Sequence, residues 1–306
     1  MTPGAACTAR CLLTETQPSQ AGRARFCRLF FFQNSSGKDR SLTTHTRRQF
    51  LLESSAAVAA SLLPSSLFAQ PAAAETPKIP NRDTTLKFNP DGTPRPFAGN
   101  TVICHLPVQS AMRDAMATLH QELKRASYHT KLGLTSTDSY HMTIFPGAND
   151  LDRSAYGWPS YVPSDAPIEV CTRMVGERIA KKQFACQLPL RVRVDQEYTI
   201  NYPMACSLRL VGADAEEGRK LRSLRDQLAE VFGFRLRDHA EYQFHMTMSY
   251  QMVPFTAEER SAYRDLMRVH IKRIAEAVPV LELGIPEFCS FPDMFRFEPQ
   301  HLLVCS

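Results

Sequence analysis

Two short segments of this sequence repeat one arrangement: an aromatic residue, histidine, methionine, threonine and an apolar residue. They are Tyr140-His141-Met142-Thr143-Ile144 and Phe244-His245-Met246-Thr247-Met248. The second lies 104 residues after the first, and the same shift superimposes the segments around them. A single His-x-Thr occurs often by chance. Two matched copies at equivalent places in a repeat predict a pair of functional segments.

The spacing within each copy suits a β-strand. Side chains alternate between the two faces of a strand, so His141 and Thr143 would share one face and their neighbours would occupy the other. The same holds for His245 and Thr247. Two such strands that faced each other would form a cleft with two imidazoles and two hydroxyls.

This set of groups suits the cleavage of a phosphodiester. Imidazole titrates near pH 6.5, so one neutral ring can take a proton from the attacking oxygen while a protonated ring donates one to the leaving oxygen. Threonine hydroxyls can hydrogen-bond the non-bridging phosphate oxygens. We therefore predict His141 and His245 as the catalytic pair and Thr143 and Thr247 as phosphate-binding residues, with no cofactor.

Other interpretations of these residues remain open. Each histidine could be a packed strand residue, or the pair could ligate a metal. Threonine is a poor ligand for most protein metals, so no metal is expected. The 104-residue shift also relates His105 to Arg209. These two are candidate cleft-lining residues or members of an exposed strand face.

Three further residues could have either a functional or a packing role. His270 lies on an apolar helical stripe and is expected to pack in the core. Trp158 and Tyr161 fall in a long loop, where they could stack on a base or cover the core.

The elements around the motifs follow the order β-α-β-α-β twice, as judged from apolar periodicity and capping residues. The first passage has strands at 101–106, 139–145 and 188–194, with helices after Ser110 and at 168–182. The second has strands at 204–210, 242–250 and 280–283, with helices after Asp214 and at 257–277, and a further strand at 301–305. This order predicts an α+β fold in which duplicated lobes, about 100–196 and 201–306, contribute two antiparallel sheets to a central cleft with helices outside.

The paired motifs resemble those of the 2H phosphoesterase superfamily, which is named for two His-x-Thr/Ser motifs on a duplicated, bilobal α+β fold. Its members include 2′,3′-cyclic nucleotide phosphodiesterases and RNA ligase-like cyclic phosphodiesterases. The resemblance covers residues 100–306 and looks closest to a branch whose members often carry export signals. It implies His141 and His245 as the acid/base pair, the two threonines as phosphate ligands, and no metal. The long segment at 146–166 departs from the pattern and leaves the choice of substrate open.

The charge of the chain is unevenly distributed. There are 36 basic and 31 acidic side chains, but residues 1–74 hold eight basic and three acidic ones, and the remainder holds 28 of each. A neutral folded part excludes binding of long polyanions by bulk charge. We expect a small phosphodiester or nucleotide as substrate, no stable nucleic-acid or membrane partner, and a monomer.

The basic N-terminal part resembles an export address. Arg47-Arg48 is followed by Phe50-Leu51, an apolar run at 54–63 and Ala72-Ala73-Ala74. This order predicts a twin-arginine signal peptide over 42–74, with the twin-arginine export machinery as a partner and a periplasmic or exported location. Residues 1–41 look like a non-native or disordered extension, with translation starting near Leu42. Residues 75–99 look like a linker or arm.

The sequence as a whole predicts a metal-independent phosphodiesterase acting on a cyclic, 2′,3′-cyclic nucleotide-like or RNA-end phosphodiester. The alternative is a periplasmic protein that binds nucleotides or phosphates without catalysis. Ligation of RNA ends is a third activity, less compatible with an exported protein. The motifs do not assign the acid and base roles to one histidine or the other.

Overall fold

The computed structural model describes residues 77–306. The predicted extension at 1–41, the start near Leu42 and the signal peptide at 42–74 lie outside the described residues. Within the described part, none of the helices combines the length and hydropathy that crossing a bilayer requires.

Six α-helices occur in residues 77–306, and the sequence sets their first turns locally. The Ser110, Asp214 and Thr256 side chains each accept a hydrogen bond from the amide three residues later, which satisfies a free amide of the first turn. The predicted caps at Ser110 and Asp214 are therefore confirmed. The helices are α1 (Arg82–Lys87), α2 (Ala111–Arg125), α3 (Ile168–Lys181), α4 (Gln196–Asn201), α5 (Ala215–Phe232) and α6 (Ala257–Ala277).

Twelve strands accompany these helices in the described residues. They are β1 (Gly99–His105), β2 (Leu132–Leu134), β3 (His141–Asn149), β4 (Gln183–Phe184), β5 (Leu190–Val194), β6 (Ser207–Gly212), β7 (His245–Thr247), β8 (Ser249–Gln251), β9 (Leu281–Leu283), β10 (Glu287–Asp293), β11 (Arg296–Leu302) and β12 (Val304–Cys305). The single strand predicted at 242–250 is instead two, because β7 pairs with β6 whereas β8 pairs with β2. The strand β10 is an addition to the predicted elements.

Two four-stranded antiparallel sheets form the centre of the fold. The first has the order β11-β10-β1-β3, and the second has the order β7-β6-β5-β9. Each histidine motif therefore lies on an edge strand of its own sheet. Together with the helices, these sheets confirm the predicted α+β class.

The sheets do not follow the predicted lobe boundaries at 196 and 201. The strand β5 falls within the predicted first lobe but belongs to the second sheet, while β10 and β11 come from the end of the chain and complete the first sheet. Strand pairing depends on contacts between distant segments, which local periodicity does not report.

The motif strands place their apolar side chains in the core as predicted. Tyr140, Met142 and Ile144 are fully buried, as are Met246 and Met248, and Phe244 is buried. The histidine and threonine of each motif are only half-buried. Core packing on one face therefore fixes which side chains each strand presents on the other.

A second, smaller apolar cluster lies apart from the main core. Its buried members are Phe88, Met252, Phe291 and Met294, and Phe97 and Tyr250 pack against them. Phe88 and Phe97 come from the segment predicted to be a linker or arm, which the structure shows to contain α1. This segment is thereby packed against β8 and the β10–β11 hairpin.

Candidate active site

The four motif side chains line one cleft. Its volume is about 400 Å³, and its lining includes His141, Thr143, His245 and Thr247. A larger cavity, of about 670 Å³, lies between α3 and the β10–β11 hairpin, and none of these four residues lines it. The smaller cleft is therefore the one that holds both matched histidine–threonine pairs.

The two imidazoles are held in the same way by their own strands. Nδ1 of His141 lies 2.6 Å from the carbonyl oxygen of Ser139, and Nδ1 of His245 lies 2.8 Å from that of Gln243. Because a carbonyl oxygen can only accept, Nδ1 must carry the hydrogen and donate it. The neutral ring then has an unprotonated Nε2 that can take up a proton. These two backbone contacts were not visible in the sequence pattern.

The surroundings of both rings favour the neutral form. The pKa of His141 is lowered to about 4, mainly by burial; the hydrogen bond to Ser139 opposes this shift, and the charges of His105 and His245 add to it. Burial likewise lowers the pKa of His245 to about 4, with Arg209 and Lys87 acting in the same direction. Both imidazoles are thus proton acceptors at neutral pH until an anion enters the cleft.

We expect NMR titration of the ligand-free protein to show both motif histidines changing protonation near pH 4 rather than near pH 6.5. Inorganic phosphate should move at least one midpoint upward, because an adjacent anion stabilises the charged imidazolium. The ring C–H signals are assigned by their loss in His141→Asn and His245→Asn. Midpoints that stay near pH 6.5 without phosphate would contradict the proposed effect of burial.

His105 and Arg209 occupy equivalent positions beside the two motif histidines. His105 is the cross-strand partner of His141, and Arg209 is the partner of His245. Neither is among the described residues that line the cleft. Nδ1 of His105 lies 3.0 Å from a carboxylate oxygen of Glu287, and the Arg209 guanidinium stacks 3.6 Å from the centre of the Tyr202 ring. Both are therefore neighbours of the catalytic candidates rather than parts of the cleft wall.

A β-bulge beside Thr143 shapes the wall of the cleft. Val102 pairs with Phe145 and Ile103 with Thr143, which leaves Ile144 as the extra residue. Nη1 of Arg225, on α5, donates to the Ile144 carbonyl at 2.5 Å. A fully buried guanidinium thus satisfies a carbonyl of the residue that follows Thr143.

Arg225 also connects this bulge to the second motif. Its guanidinium stacks 3.8 Å from the centre of the Tyr242 ring, and that ring lines the cleft 6.0 Å from the ring of His245. Two of its nitrogens, Nε and Nη2, have no hydrogen-bond partner among the described residues. Burial lowers the pKa of Arg225 to about 10, so the group remains charged at neutral pH.

We expect Arg225→Met to lower the free energy of unfolding by about 1–3 kcal/mol, because it leaves the Ile144 carbonyl buried without a donor. Binding of inorganic phosphate in the cleft should weaken further than the loss of folded protein explains, since the bulge sets the position of Thr143. Urea unfolding and a phosphate titration measure the two effects. The matched control is Arg219→Met, which removes an exposed arginine from the same helix; equal effects of both variants would contradict this account of Arg225.

The segment predicted as a linker or arm contributes directly to the cleft. Arg82, Lys87 and Phe97 are among the lining residues, together with Tyr242, Tyr250 and Phe297 from the rest of the chain. The Lys87 ammonium lies 5.2 Å from the centre of the Phe97 ring and 5.5 Å from that of Tyr250. The sequence analysis missed these residues, because no local pattern indicates that residues 82–97 return to the motif strands.

The remaining candidates from the sequence are packing residues. Trp158 is buried and its Nε1 donates to the carbonyls of Val162 and Pro163, while the Tyr161 hydroxyl donates to the Val231 carbonyl. Neither ring is part of the described cleft lining, so the packing alternative holds for both. His270 is buried on α6, as expected.

Comparison with known proteins identifies a family for part of this chain. Residues 87–201, which include the first motif, match the family 2H-phosphodiest, described as a domain of unknown function (DUF1868). No curated protein matches the chain.

Several solved structures match this one, and the following two are among them. A conserved protein of unknown function from Agrobacterium tumefaciens strain C58, ATU0111, is 30% identical with a TM-score of 0.67, over 74% of this chain and 94% of that protein. The protein TT0787 of Thermus thermophilus is 13% identical with a TM-score of 0.33, over 67% of this chain and 96% of that protein. The latter similarity is too low to support an inference. From the match over residues 87–201 and the 30% identity across nearly all of the Agrobacterium protein, the chain belongs to the 2H-phosphodiest family (DUF1868).

Proposed function

We propose that this protein is a metal-independent phosphodiesterase that hydrolyses a small cyclic phosphodiester, of the 2′,3′-cyclic nucleotide type, or an RNA-end phosphodiester. Membership of the 2H-phosphodiest family supports a phosphoesterase-type function. The observation that carries the finer proposal is the pair of imidazoles in one cleft, each with Nδ1 donating to a carbonyl of its own chain and Nε2 free for proton transfer.

The reaction needs one proton acceptor and one proton donor. One neutral histidine takes a proton from water, whose oxygen attacks phosphorus as the bond to the ribose 2′ or 3′ oxygen breaks. The other histidine, as imidazolium, donates its proton to that leaving oxygen, and the product is a phosphate monoester. Exchange with solvent then restores the starting protonation states. Either histidine can take either role in this scheme.

The phosphate of the bound substrate would itself cause one of the two histidines to become protonated and serve as the acid. Both histidines have a pKa of about 4 in the free protein, so the free cleft holds no imidazolium at neutral pH. A phosphodiester anion within a few ångströms raises the pKa of the nearer ring, typically by about 1–3 units. Thr143 and Thr247 can hydrogen-bond its non-bridging oxygens. The substrate thus supplies the charge that turns one of two equivalent bases into the acid.

The dimensions and charge of the cleft favour a small substrate. Its volume of about 400 Å³ is in the range of small-molecule sites. Aromatic rings of Phe97, Tyr250 and Phe297 line it beside Lys87. A compact ligand that joins an anionic phosphate to a flat apolar group matches this lining better than a long polyanion does.

The decisive experiment is hydrolysis of 2′,3′-cyclic nucleotides by the purified protein with EDTA present. Formation of a 2′- or 3′-monophosphate is expected, and the isomer produced identifies the bond that breaks. A 3′,5′-cyclic nucleotide serves as the comparison substrate with a different ring. Activity that EDTA abolishes, or the absence of hydrolysis for every phosphodiester offered, would refute the metal-independent mechanism. Tight binding without turnover would favour the alternative of a non-catalytic nucleotide-binding protein.

A further inference from the structure

Three potential metal ligands lie next to His141 but outside the cleft lining. They are His105 on β1 and Glu287 and Cys289 on the neighbouring strand β10. One ligand atom from each lies within 4.8 Å of the others. The ring centre of His105 is 6.3 Å from that of His141. Within residues 77–306, this is the one group of three such residues that are close enough to hold a metal ion.

The strands explain how the group assembles. Glu287 and Cys289 are two residues apart on β10, so their side chains emerge on one face of the sheet. Antiparallel pairing of β1 with β10, in which Ile103 opposes Glu287, brings His105 to the same end. Nδ1 of His105 already lies 3.0 Å from a carboxylate oxygen of Glu287. The sheet therefore holds the three groups in place without a loop.

The chemistry of the three side chains matches one class of cation. Imidazole nitrogen, carboxylate oxygen and thiolate sulfur are the usual ligands of Zn²⁺, at about 2.0–2.3 Å from the ion, and three protein ligands leave a fourth position open. Ligands at these bond lengths lie about 3.3–3.8 Å apart in a tetrahedron, so the present group needs a contraction of about 1 Å.

Access and burial are also suitable. The His105 and Glu287 side chains are 25% and 19% exposed, so an ion can reach them from solvent, while Cys289 is buried. An ion pair alone would explain the contact between His105 and Glu287. It does not explain a thiol placed within reach of both.

We propose that His105, Glu287 and Cys289 form a binding site for a single Zn²⁺ ion. The ion displaces the proton of the Cys289 thiol, which leaves to solvent, and the fourth position is filled by water or an external ligand. This site is separate from the acid/base chemistry proposed for His141 and His245, and it does not depend on that function. No sequence pattern indicates it, because residues 105, 287 and 289 meet only through strand pairing.

The test is direct measurement of metal content and affinity. After incubation with Zn²⁺ and removal of loosely bound ions, elemental analysis of the full-length protein should find about one zinc ion per chain, and isothermal titration should show one site. Replacement by Co²⁺ should produce the near-ultraviolet charge-transfer absorption of a cobalt–thiolate bond. Zinc binding and the cobalt–thiolate absorption should both be lost in Cys289→Ser and His105→Gln, with circular dichroism confirming that the variants are folded.

Two controls separate this site from unspecific binding and from the proposed catalysis. Cys171→Ser removes a buried thiol that lies outside the group and should retain zinc binding. His141→Asn should also retain it, whatever the protein hydrolyses. A wild-type protein that takes up no zinc, or uptake that Cys289→Ser leaves unchanged, would overturn the proposal.

Discussion

Replacement of His141 or His245 by asparagine is expected to reduce hydrolysis of a 2′,3′-cyclic nucleotide by about 10²–10⁴-fold, which is the usual contribution of one positioned acid or base. The loss should appear mainly in kcat, because proton transfer occurs in the transition state and not in substrate binding. Asparagine removes the titrating ring but retains a polar side chain of similar size. Steady-state kinetics of the two single variants measure the effect.

The double variant tests whether the two histidines act as a unit. Since proton removal and proton donation belong to one reaction, His141→Asn combined with His245→Asn should be far less damaging than the product of the single effects. The matched control is His129→Asn, which removes an exposed histidine outside the cleft lining and should leave the rates unchanged. Near-wild-type rates in either single variant would exclude the two-histidine mechanism.

Removal of the Phe145 side chain is expected to lower the free energy of unfolding by about 3–5 kcal/mol. This ring follows the bulge in β3, is fully buried, and packs 4.8 Å from the ring of Phe232 and 5.6 Å from that of Phe234. Phe145→Ala would leave a cavity between β3 and α5 that surrounding side chains cannot fill. Urea unfolding followed by circular dichroism gives the change.

The comparison for Phe145→Ala is a truncation that creates no cavity. Val108→Ala removes part of a side chain that is 75% exposed, and its effect should stay within about 0.5 kcal/mol. A loss below about 1 kcal/mol for Phe145→Ala would mean that the core beneath the motif strand is loosely packed. The position of Thr143 would then not be fixed by the packing of its own strand.

Much of the local structure follows from short-range patterns. The predicted helix at 257–277 coincides with α6, and those that begin after Ser110 and Asp214 are α2 and α5. Apolar periodicity and a capping side chain suffice for such elements, because each depends on residues within a few positions. In contrast, the sequence of β10 does not show the pattern of a half-buried strand. Its apolar residues Phe288, Cys289 and Phe291 do not alternate with polar ones, and proline, present here as Pro292, is untypical of strands.

The candidate site likewise has features that follow from local sequence and features that depend on the tertiary fold. The sequence by itself determined which motif side chains share a face, since strand alternation places His141 with Thr143 and His245 with Thr247 opposite the apolar side chains that the core buries. The 104-residue repeat in the sequence also indicated that His105 and Arg209 occupy equivalent positions. In the structure they are the cross-strand partners of His141 and His245.

Only the tertiary structure decided what surrounds these residues. In the folded chain, residues 82–97 line the cleft, and Arg225 donates a hydrogen bond to the carbonyl of Ile144 in the bulge. The strands β10 and β11 belong to the first sheet, and His105, Glu287 and Cys289 lie together beside His141. Each of these contacts links segments far apart in the chain, and its free energy comes from burial and pairing that exist only once the sheets have formed. The motif is local, so the sequence reveals it, whereas its environment is a property of the whole fold.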